Sequence, residues 1–271
     1  ELSQQLVAPI IDDLSLFLEC IYARDDGSVN RPFLVDIFTN FFGNGGQCDN
    51  LMKFATHYMH VLFQGKLDDF TQFPRGVTTI NKSQIYAKRL HALAAANGGM
   101  EYDVPSAALH DLINEFGGLL PDAASATLHL QIAAPSWQAV EAGDYLVVFN
   151  HSLPGFGHFF TRYCYLFDDQ AGAPPLFDQI LAAVEQLQTE EPDNQELVEI
   201  LSILDHNAQI HPLYTGRQIV PPGEHSDLPL SQQIPVRSLG VQHNTATDSL
   251  EIYLETENGR ENITPIYMGF F

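Results

Sequence analysis

Basic residues are scarce in this chain of 271 residues, where 12 Lys and Arg stand against 34 Asp and Glu and give a formal charge of −22 at pH 7. Between Arg89 and Arg217, Arg162 is the one Lys or Arg. Because phosphates and anionic headgroups repel a surface of this charge, the composition argues against non-specific electrostatic binding to nucleic acid or to an anionic membrane. An RNA partner would require a local basic patch, or basic groups from elsewhere in a longer protein.

Cysteine is also scarce, and Cys20, Cys48 and Cys164 are odd in number and lack C-x-x-C spacing. This pattern argues against a disulfide framework and a zinc site. His57 and His60 have the i, i+3 spacing that can share a metal on a helix. No acid or cysteine lies nearby at a matching distance, so a structural or surface role is favoured for both. We expect no metal site, and we expect the reducing cytoplasm as the compartment.

Long hydrophobic runs are missing as well, so the sequence predicts neither a membrane span nor a signal peptide. The motifs GxGxxG, GxxxxGK with Ser or Thr, HExxH and GxSxG do not occur, which excludes the common nucleotide-binding and hydrolase sites. The chain starts without Met and stops in the apolar segment 266–271. Such ends suggest a piece of a longer protein.

Apolar residues at helical spacing predict helices through the first half of the chain. The predicted helices cover residues 9–21, 32–43, 51–63 and 83–96, and a further one begins at Pro105. Pro32 and Pro105 are placed in first turns, where a missing N–H costs little, and Gly43 is placed at a helix end. Ser83 is interpreted as a helix cap.

The second half shows strand patterns together with three more segments at helical spacing, of which the first covers residues 159–167. Period-two alternation and short apolar runs predict strands at residues 128–132, 145–149, 234–242, 249–255 and 262–266. Helical spacing returns at residues 176–187 and 197–204, where the acidic run that includes Glu196 and Glu199 is interpreted as solvated helix surface. The patterns predict an α+β fold with two parts. A helix-rich part over residues 1–124 is followed, over residues 125–271, by a mixed, largely antiparallel sheet with flanking helices.

The sharpest chemical signal is Arg162, which follows a glycine-rich loop and stands among aromatic residues. An isolated guanidinium in such a setting can hold one carboxylate or phosphate. An Arg on an apolar helix more often covers the edge of a core and pairs with a neighbouring acid, and Asp168 and Asp169 are close in sequence. From the residues alone the structural role is favoured.

Four segments in order resemble LanB-type lantibiotic dehydratases. Residues 38–43 (FTNFFG) resemble the family's F-x-x-x-(F/Y)-G signature, and residues 145–167 resemble its LVV…G…GRF segment. Residues 208–214 (AQIHPLY), with Gly-Glu-His at 223–225, are similar to its AQLSFPPL…LGEH stretch. Residues 234–241 (IPVRSLGV) and the chain beyond them resemble its IPLxDLxV…LYLVS…GR tail. The four segments span most of residues 33–271.

The resemblance implies an internal part of the glutamylation domain of those enzymes, with both parts of the chain belonging to one larger domain truncated at both ends. In that family, Ser and Thr hydroxyls of a ribosomally made precursor peptide are acylated from glutamyl-tRNA. An elimination domain, in the same chain or another, then removes glutamate to leave dehydroamino acids in a lanthipeptide or related bacteriocin. The resemblance implies no cofactor beyond glutamyl-tRNA as co-substrate, because the ester on the tRNA is already activated. A homodimer is left open.

The resemblance also suggests site residues. Arg162 matches the Arg of the GRF-like segment, although Thr161 and Tyr163 replace the flanking Gly and Phe. The resemblance implies a catalytic or binding role for Arg162, either on the glutamyl carboxylate or on a phosphate near the tRNA 3′ end. Arg217 and Arg260 are further cations that an RNA 3′ end could use, with a surface role as the alternative.

Glu224 and His225 match the Gly-Glu-His position, and the resemblance implies general acid–base work for them. Pro221 and Pro222 precede them, so a rigid structural turn is an equal alternative.

Two other functions remain open from the sequence. One is a related ligase that adds an amino acid from aminoacyl-tRNA to a peptide without elimination. The other is a non-catalytic acidic scaffold that docks a precursor peptide or a partner enzyme.

Overall fold

A computed structural model of the chain describes residues 10–11, 14–18, 26–63, 72–95, 104–116, 126–154, 161–167, 174–190, 195–201 and 212–266. The chain divides into two compact units. One unit is formed by residues 1–36, 68–124 and 128–152, and the other by residues 37–67, 125–127 and 153–271. These units follow the packing of segments rather than their order in the chain. The predicted boundary between residues 124 and 125 stays a prediction.

Helices occur in both halves of the chain. Residues 10–11 and 14–18 are helical, and the complete α-helices are α1 (Asp26–Phe42), α2 (Leu51–Phe63), α3 (Pro74–Ala95), α4 (Ser106–Phe116), α5 (Trp137–Glu141) and α6 (Leu176–Glu190). Short 3-10 helices cover Thr161–Phe167, Leu230–Gln232 and Val236–Ser238.

The strands are β1 (Gln47–Cys48), β2 (Ala126–Ala133), β3 (Leu146–Pro154), β4 (Glu196–Ile200), β5 (Gln218–Val220), β6 (Gln233–Pro235), β7 (Leu239–Asn244), β8 (Ser249–Thr256) and β9 (Gly259–Ile266). β2 and β3 form a two-stranded sheet, and the others form one seven-stranded sheet in the order β1-β7-β8-β9-β4-β5-β6. The predicted α+β class is confirmed.

The large sheet is mixed because β4 joins it in parallel. From β1 to β9 the neighbouring strands are antiparallel, and from β9 through β4 and β5 to β6 they are parallel. Successive side chains of a strand point to opposite faces, so each face has its own core. One face carries Val198, Ile219, Ile234 and Ile263, and α2 covers it with Leu51. On the other face Leu197 packs against α6 and the 3-10 helix Thr161–Phe167.

The prediction of a helix over residues 197–204 is wrong, since residues 196–200 form the inner strand β4. Leu197, Val198 and Glu199 are consecutive and all buried, as expected for a strand with a core on each face. The interpretation of Glu196 and Glu199 as solvated helix surface is wrong for the same reason. A short apolar run buried on both sides cannot be distinguished from a buried helix by periodicity alone.

Two predicted helix starts are also wrong. α1 begins at Asp26, so Pro32 lies inside the helix rather than at its first turn. α3 begins at Pro74 rather than near Ser83, because its first turn is capped from outside its own sequence. The buried carboxylate of Asp36 accepts a hydrogen bond from the Gly76 N–H at 3.0 Å, and Arg75 Nη1 donates to it at 2.9 Å. A carboxylate at a helix N-terminus satisfies a free N–H and the helix dipole together.

The second half of α3 packs against α4. Tyr86 and Leu112 are buried between the two helices, and Leu90, Leu93 and Leu109 pack around them. Gly76 lies against the Phe33 ring, so close that a Cβ at this position would be 2.4 Å from it. α3 is therefore fixed at its N-terminal end by α1 and along its second half by α4.

A hairpin and a glycine loop hold the antiparallel side of the large sheet together. Gly43 ends α1 with a φ of 84°, as predicted. Gly45 N–H then donates to His243 Nδ1 at 3.1 Å, and the other ring nitrogen of His243 lies 3.0 Å from Asp248 Oδ1. Because Nδ1 accepts, Nε2 carries the proton and donates to Asp248. The side chain of His243 is completely buried, whereas that of Asp248 is about half exposed.

In the part of the chain that the structure describes, no helix is long and apolar enough to cross a membrane.

We predict that Gly240→Ala destabilises the fold. Gly240 faces Tyr253 across the β7–β8 pair, and a Cβ on Gly240 would be 2.2 Å from the tyrosine ring. Overpacking of this kind costs roughly 1–3 kcal/mol of unfolding free energy, measured by urea denaturation. Gly216→Ala is the matched control, because nothing lies within 4 Å of a Cβ there. Equal stability of the two variants would contradict the described register.

Candidate functional site

A cavity of about 430 Å³ lies between α6, the start of β4 and residues 213–216. Cavities of this size hold small ligands or the side chain of a bound peptide. The walls are mainly apolar, with polar groups at the edge, and consist of Leu181, Val184, Glu185, Gln188, Glu196, Leu197, Leu213, Tyr214, Thr215 and Gly216. We call this space the Tyr214 cavity.

Tyr214 forms the floor of the cavity. Its hydroxyl donates to Cys164 Sγ at 3.7 Å, and its ring lies 5.3 Å from the ring of Phe177 in α6. Burial raises the pKa of the Tyr214 phenol strongly, with smaller contributions from the Cys164 hydrogen bond and the Glu199 charge. Tyr214 is therefore a neutral, fixed wall of the cavity at ordinary pH.

The backbone beside Tyr214 is held by β4. The side chain of Glu199 accepts a hydrogen bond from Tyr214 N–H at 3.3 Å, and Glu199 N–H donates to Thr215 Oγ1 at 3.2 Å. Glu199 is only 2 % exposed, so both contacts are largely shielded from water. These contacts fix residues 214–215 against the sheet.

Arg217 follows directly and is held by two carboxylates. Its Nε donates to Glu196 Oε1 at 3.0 Å, its Nη2 donates to Glu196 Oε2, and the same Nη2 donates to Glu261 Oε2 at 3.1 Å. The hydrogen bond with Glu196 raises the pKa of Arg217. Since Glu196 also lines the Tyr214 cavity, Arg217 stands immediately behind the cavity wall.

Arg162 lies in the 3-10 helix Thr161–Phe167, whose Cys164 is buried against Ile180, Val184 and Tyr214. The structure thus brings the segment that carries Arg162 and the segment that carries Arg217 to the same core cluster. The side chain of Arg162 lies outside the described residues. Two further side chains of this 3-10 helix, Tyr165 and Leu166, are exposed.

Arg260 occupies a different place. It donates to Glu255 Oε1 from Nε at 3.1 Å and from Nη2 at 3.0 Å, and its guanidinium lies 4.4 Å from the centre of the Tyr253 ring. Arg260 and Glu261 are neighbours in β9, so Arg260 faces away from the side of the sheet on which Glu261 meets Arg217. The structure therefore does not gather the two arginines into one binding patch, and an RNA role for either stays a prediction.

Glu224 and His225 lie in the turn between β5 and β6. Glu224 N–H donates to the Pro221 carbonyl at 3.2 Å, and Gly223 has a φ of 90°, the geometry of a type II turn with Pro222 before the glycine. His225 is 90 % exposed and approaches Asp227 at 4.0 Å. The segment therefore has the form of a rigid structural turn, which was the alternative to acid–base work. Acid–base work by Glu224 and His225 stays a prediction.

The arrangement gives an apolar cavity with carboxylates at its rim and Arg217 just behind it. Glu196 was assigned to a solvated helix from the sequence, and the roles of Glu199 and Tyr214 were missed. A signal for Tyr214 was present, since it ends the segment 208–214 that resembles a known motif. Among the described residues, no group of three or more His, Cys, Asp or Glu is placed to hold a metal ion.

We predict that the Tyr214→Phe variant loses less unfolding free energy than the wild type at high pH. The pKa of Tyr214 is higher in the folded than in the unfolded chain. Its contribution to the unfolding free energy is therefore complete below about pH 10, and it is lost as the pH rises further and the phenol ionises first in the unfolded chain. Phe lacks this titration, and the unfolding free energy of the variant should fall less steeply between about pH 10 and 12. Tyr165→Phe, at an exposed position, is the control and should follow the wild type.

Arg217→Met should lower the unfolding free energy by roughly 1.5–3 kcal/mol, because it leaves Glu196 and Glu261 together without a cation. Adding Glu196→Gln should restore part of the loss by removing one of the two charges. Arg260→Met breaks the more exposed pair with Glu255, so it should lower the unfolding free energy by less than Arg217→Met does. Equal losses for the two arginines in chemical denaturation would contradict the structural role of Arg217.

No family model matches the chain, and a comparison with curated protein sequences finds no similar protein. Among solved structures, the glutamylation domain TbtB from thiomuracin biosynthesis is similar over 100% of this chain, with a TM-score of 0.68 and 16% sequence identity. A second structure of that domain, bound to 5'-phosphodesmethylglutamycin, is similar over 96% of this chain, with a TM-score of 0.65 and 16% identity. The chain spans about a third of the length of each of these chains, 33% and 32%. It therefore has the fold of part of a thiopeptide-type glutamylation domain.

Proposed function

We propose that this chain is part of a glutamyl transferase of the LanB-type dehydratase family, acting in the biosynthesis of a ribosomally made, modified peptide. The observation that carries the proposal is the similarity of the whole chain to a glutamylation domain. The ordered segments of the sequence that resemble the same class of enzyme support it. That resemblance depends on residue identities and not on the fold.

The proposed reaction is an acyl transfer. The hydroxyl oxygen of a Ser or Thr of the precursor peptide attacks the carbonyl carbon of the glutamyl ester on tRNA. A new ester bond forms to the peptide, the bond between the carbonyl carbon and the ribose oxygen breaks, and the proton of the attacking hydroxyl passes to that ribose oxygen. The donor ester is already activated, so the transfer consumes no nucleotide triphosphate, and glutamyl-tRNA is the one co-substrate.

The protein's part in such a reaction is to hold the two substrates in place. The glutamyl side chain and the RNA are both anionic, whereas Glu185 and Glu196 make the rim of the Tyr214 cavity acidic. A nearby cation is therefore needed wherever either anion comes to rest. Arg162 is our candidate, because its segment is anchored through Cys164 to the cavity floor. Its partner is either the glutamyl carboxylate or a phosphate near the 3′ end of the tRNA.

Arg217 is a weaker candidate for direct contact. Its guanidinium already has three hydrogen bonds to Glu196 and Glu261, and an incoming anion would have to displace them. We assign it the role of fixing the cavity wall. Elimination of glutamate, and the domain that performs it in the same chain or another, are part of the proposal but are not assigned to these residues.

The test is mass spectrometry of a precursor peptide incubated with the full-length protein and glutamyl-tRNA, without an elimination partner. We expect adducts of glutamyl mass on Ser or Thr. Addition at the C-terminus of the peptide would identify a ligase instead, and a peptide that binds but stays unmodified would identify a docking scaffold. Either result overturns the proposal.

In the same assay, Arg162→Ala should lower the rate of glutamyl transfer by at least roughly tenfold, since one charge-assisted hydrogen bond is worth about 1.5–3 kcal/mol. Arg237→Ala, at an exposed position in the 3-10 helix Val236–Ser238, is the control and should keep the wild-type rate. Thermal unfolding of both variants checks that the fold is intact. A wild-type rate for Arg162→Ala would remove Arg162 from the site.

A further inference from the structure

The amide and hydroxyl groups in the walls of the Tyr214 cavity are already hydrogen-bonded within the protein. The side chain of Gln188 accepts from Leu197 N–H at 2.6 Å, and its amide nitrogen donates to the backbone carbonyl of the residue before β4. The hydroxyl of Thr215 donates to the Arg217 carbonyl at 2.7 Å. A ligand inside the cavity would therefore meet mainly apolar surface.

Glu185 is the polar group at the cavity that has no such engagement. Leu181, Val184, Glu185 and Gln188 follow one another at i, i+3, i+4 and i+7, so they share the face of α6 that borders the cavity. Glu185 is exposed, and among the described residues it has no ion-pair partner. Its carboxylate is therefore available at the rim, beside the apolar wall that Leu181 and Val184 form.

The second carboxylate at the rim, that of Glu196, adds negative charge although it is paired. Glu196 and Glu261 share the single guanidinium of Arg217, so two carboxylates face one cation and the group stays negative. Among the described residues that line the cavity, none is Lys or Arg. Helix α6 itself carries three acids and no basic residue. The mouth of the cavity is therefore a region of negative potential.

An apolar space with a carboxylate at its mouth fits a side chain that is apolar along its length and cationic at its tip. Lys and Arg have this form, because their methylene stems can be buried while the charged head stays at the surface. The volume of about 430 Å³ is sufficient for one such side chain. An anion such as the glutamyl carboxylate would be repelled by the same rim. A purely aliphatic side chain would fill the space but leave the carboxylate of Glu185 without a partner.

We propose that the Tyr214 cavity binds a Lys or Arg side chain of the precursor peptide, with the stem against Leu181 and Val184 and the cationic head at Glu185. The inference rests on the proposed function, which makes such a peptide the acceptor. It also gives the acidity of the chain a role that glutamyl-tRNA does not explain. A protein with 34 acids against 12 Lys and Arg attracts a basic partner and steers it towards an acidic site.

The test measures binding of short peptides that carry a neutral fluorophore to the full-length protein, by fluorescence anisotropy at low salt. The peptides contain one Ser and are identical except for the residue after it, which is Lys, norleucine or Glu. The Lys peptide should bind roughly three- to tenfold more tightly than the norleucine peptide, the range of a charge-assisted contact at a partly exposed site. The Glu peptide should bind most weakly of the three.

Two substitutions examine the cavity itself. Glu185→Gln removes the carboxylate and should abolish the preference for Lys over norleucine. Gly216→Phe should fill the mouth of the cavity and weaken binding of both peptides, and the fold has room for it because nothing lies within 4 Å of a Cβ on Gly216. Glu141→Gln and Ala182→Phe are the matched controls, at exposed positions that do not line the cavity, and should bind like the wild type. Thermal unfolding checks that each variant is folded.

The outcomes separate this inference from the proposed function. Equal affinities for the three peptides, or no binding of any of them, overturn the inference, and so does tighter binding of norleucine, which would assign the cavity to an aliphatic side chain. A preference for Lys that survives Glu185→Gln places the basic residue elsewhere, and an equal loss in Glu141→Gln indicates an effect of net charge; both overturn it. The binding assay contains no tRNA. A protein that shows the Lys preference but transfers no glutamate therefore overturns the proposed function alone.

Discussion

Strand β4 is bonded in parallel to β9 on one side and to β5 on the other, and its side chains enter a core on each face of the sheet. Val198 belongs to the core under α2, while Leu197 belongs to the core under α6. Glu199 then holds the backbone of Tyr214, and Glu196 holds Arg217. The sheet, the Tyr214 cavity and the position of Arg217 all depend on this one inner strand.

The charge of the protein limits what its cations can do. With 12 Lys and Arg against 34 acids, a cation near the surface soon meets a carboxylate. Arg75, Arg217 and Arg260 all have carboxylate partners, and these pairs fix a helix start, a cavity wall and a hairpin. Such arginines stabilise structure because a partly buried ion pair with good geometry gains more than an exposed one. Lys82 and Lys88 on α3 are exposed, and among the described residues neither has a carboxylate partner.

The site and the fold support a protein that positions substrates. The cavity floor is a neutral tyrosine held by Cys164 and Glu199, and the described residues around it offer hydrogen bonds and shape. In the proposed acyl transfer, the ester donor on tRNA is already activated, so positioning of the substrates is the main contribution asked of this domain. The segment that carries Arg162 packs against the floor of the cavity through Cys164.

The sequence by itself determined the α+β class, the amphipathic helices such as α2, α4 and α6, the strands of the β8–β9 hairpin, and the resemblance to a glutamylation domain. These features depend on local periodicity and on residue identities, which are visible in the chain itself. The tertiary structure alone decided that residues 196–200 are an inner strand, because burial on both faces removes the alternation that identifies a strand. It also decided that α3 starts at Pro74. The carboxylate that caps the first turn belongs to Asp36, 40 residues before Gly76, whose N–H donates to it. For the site, the sequence selected the Arg162 segment but could not find the Glu199–Tyr214 contact or the carboxylates around Arg217. Those depend on which strands become neighbours, and long-range pairing leaves no local signal in the chain.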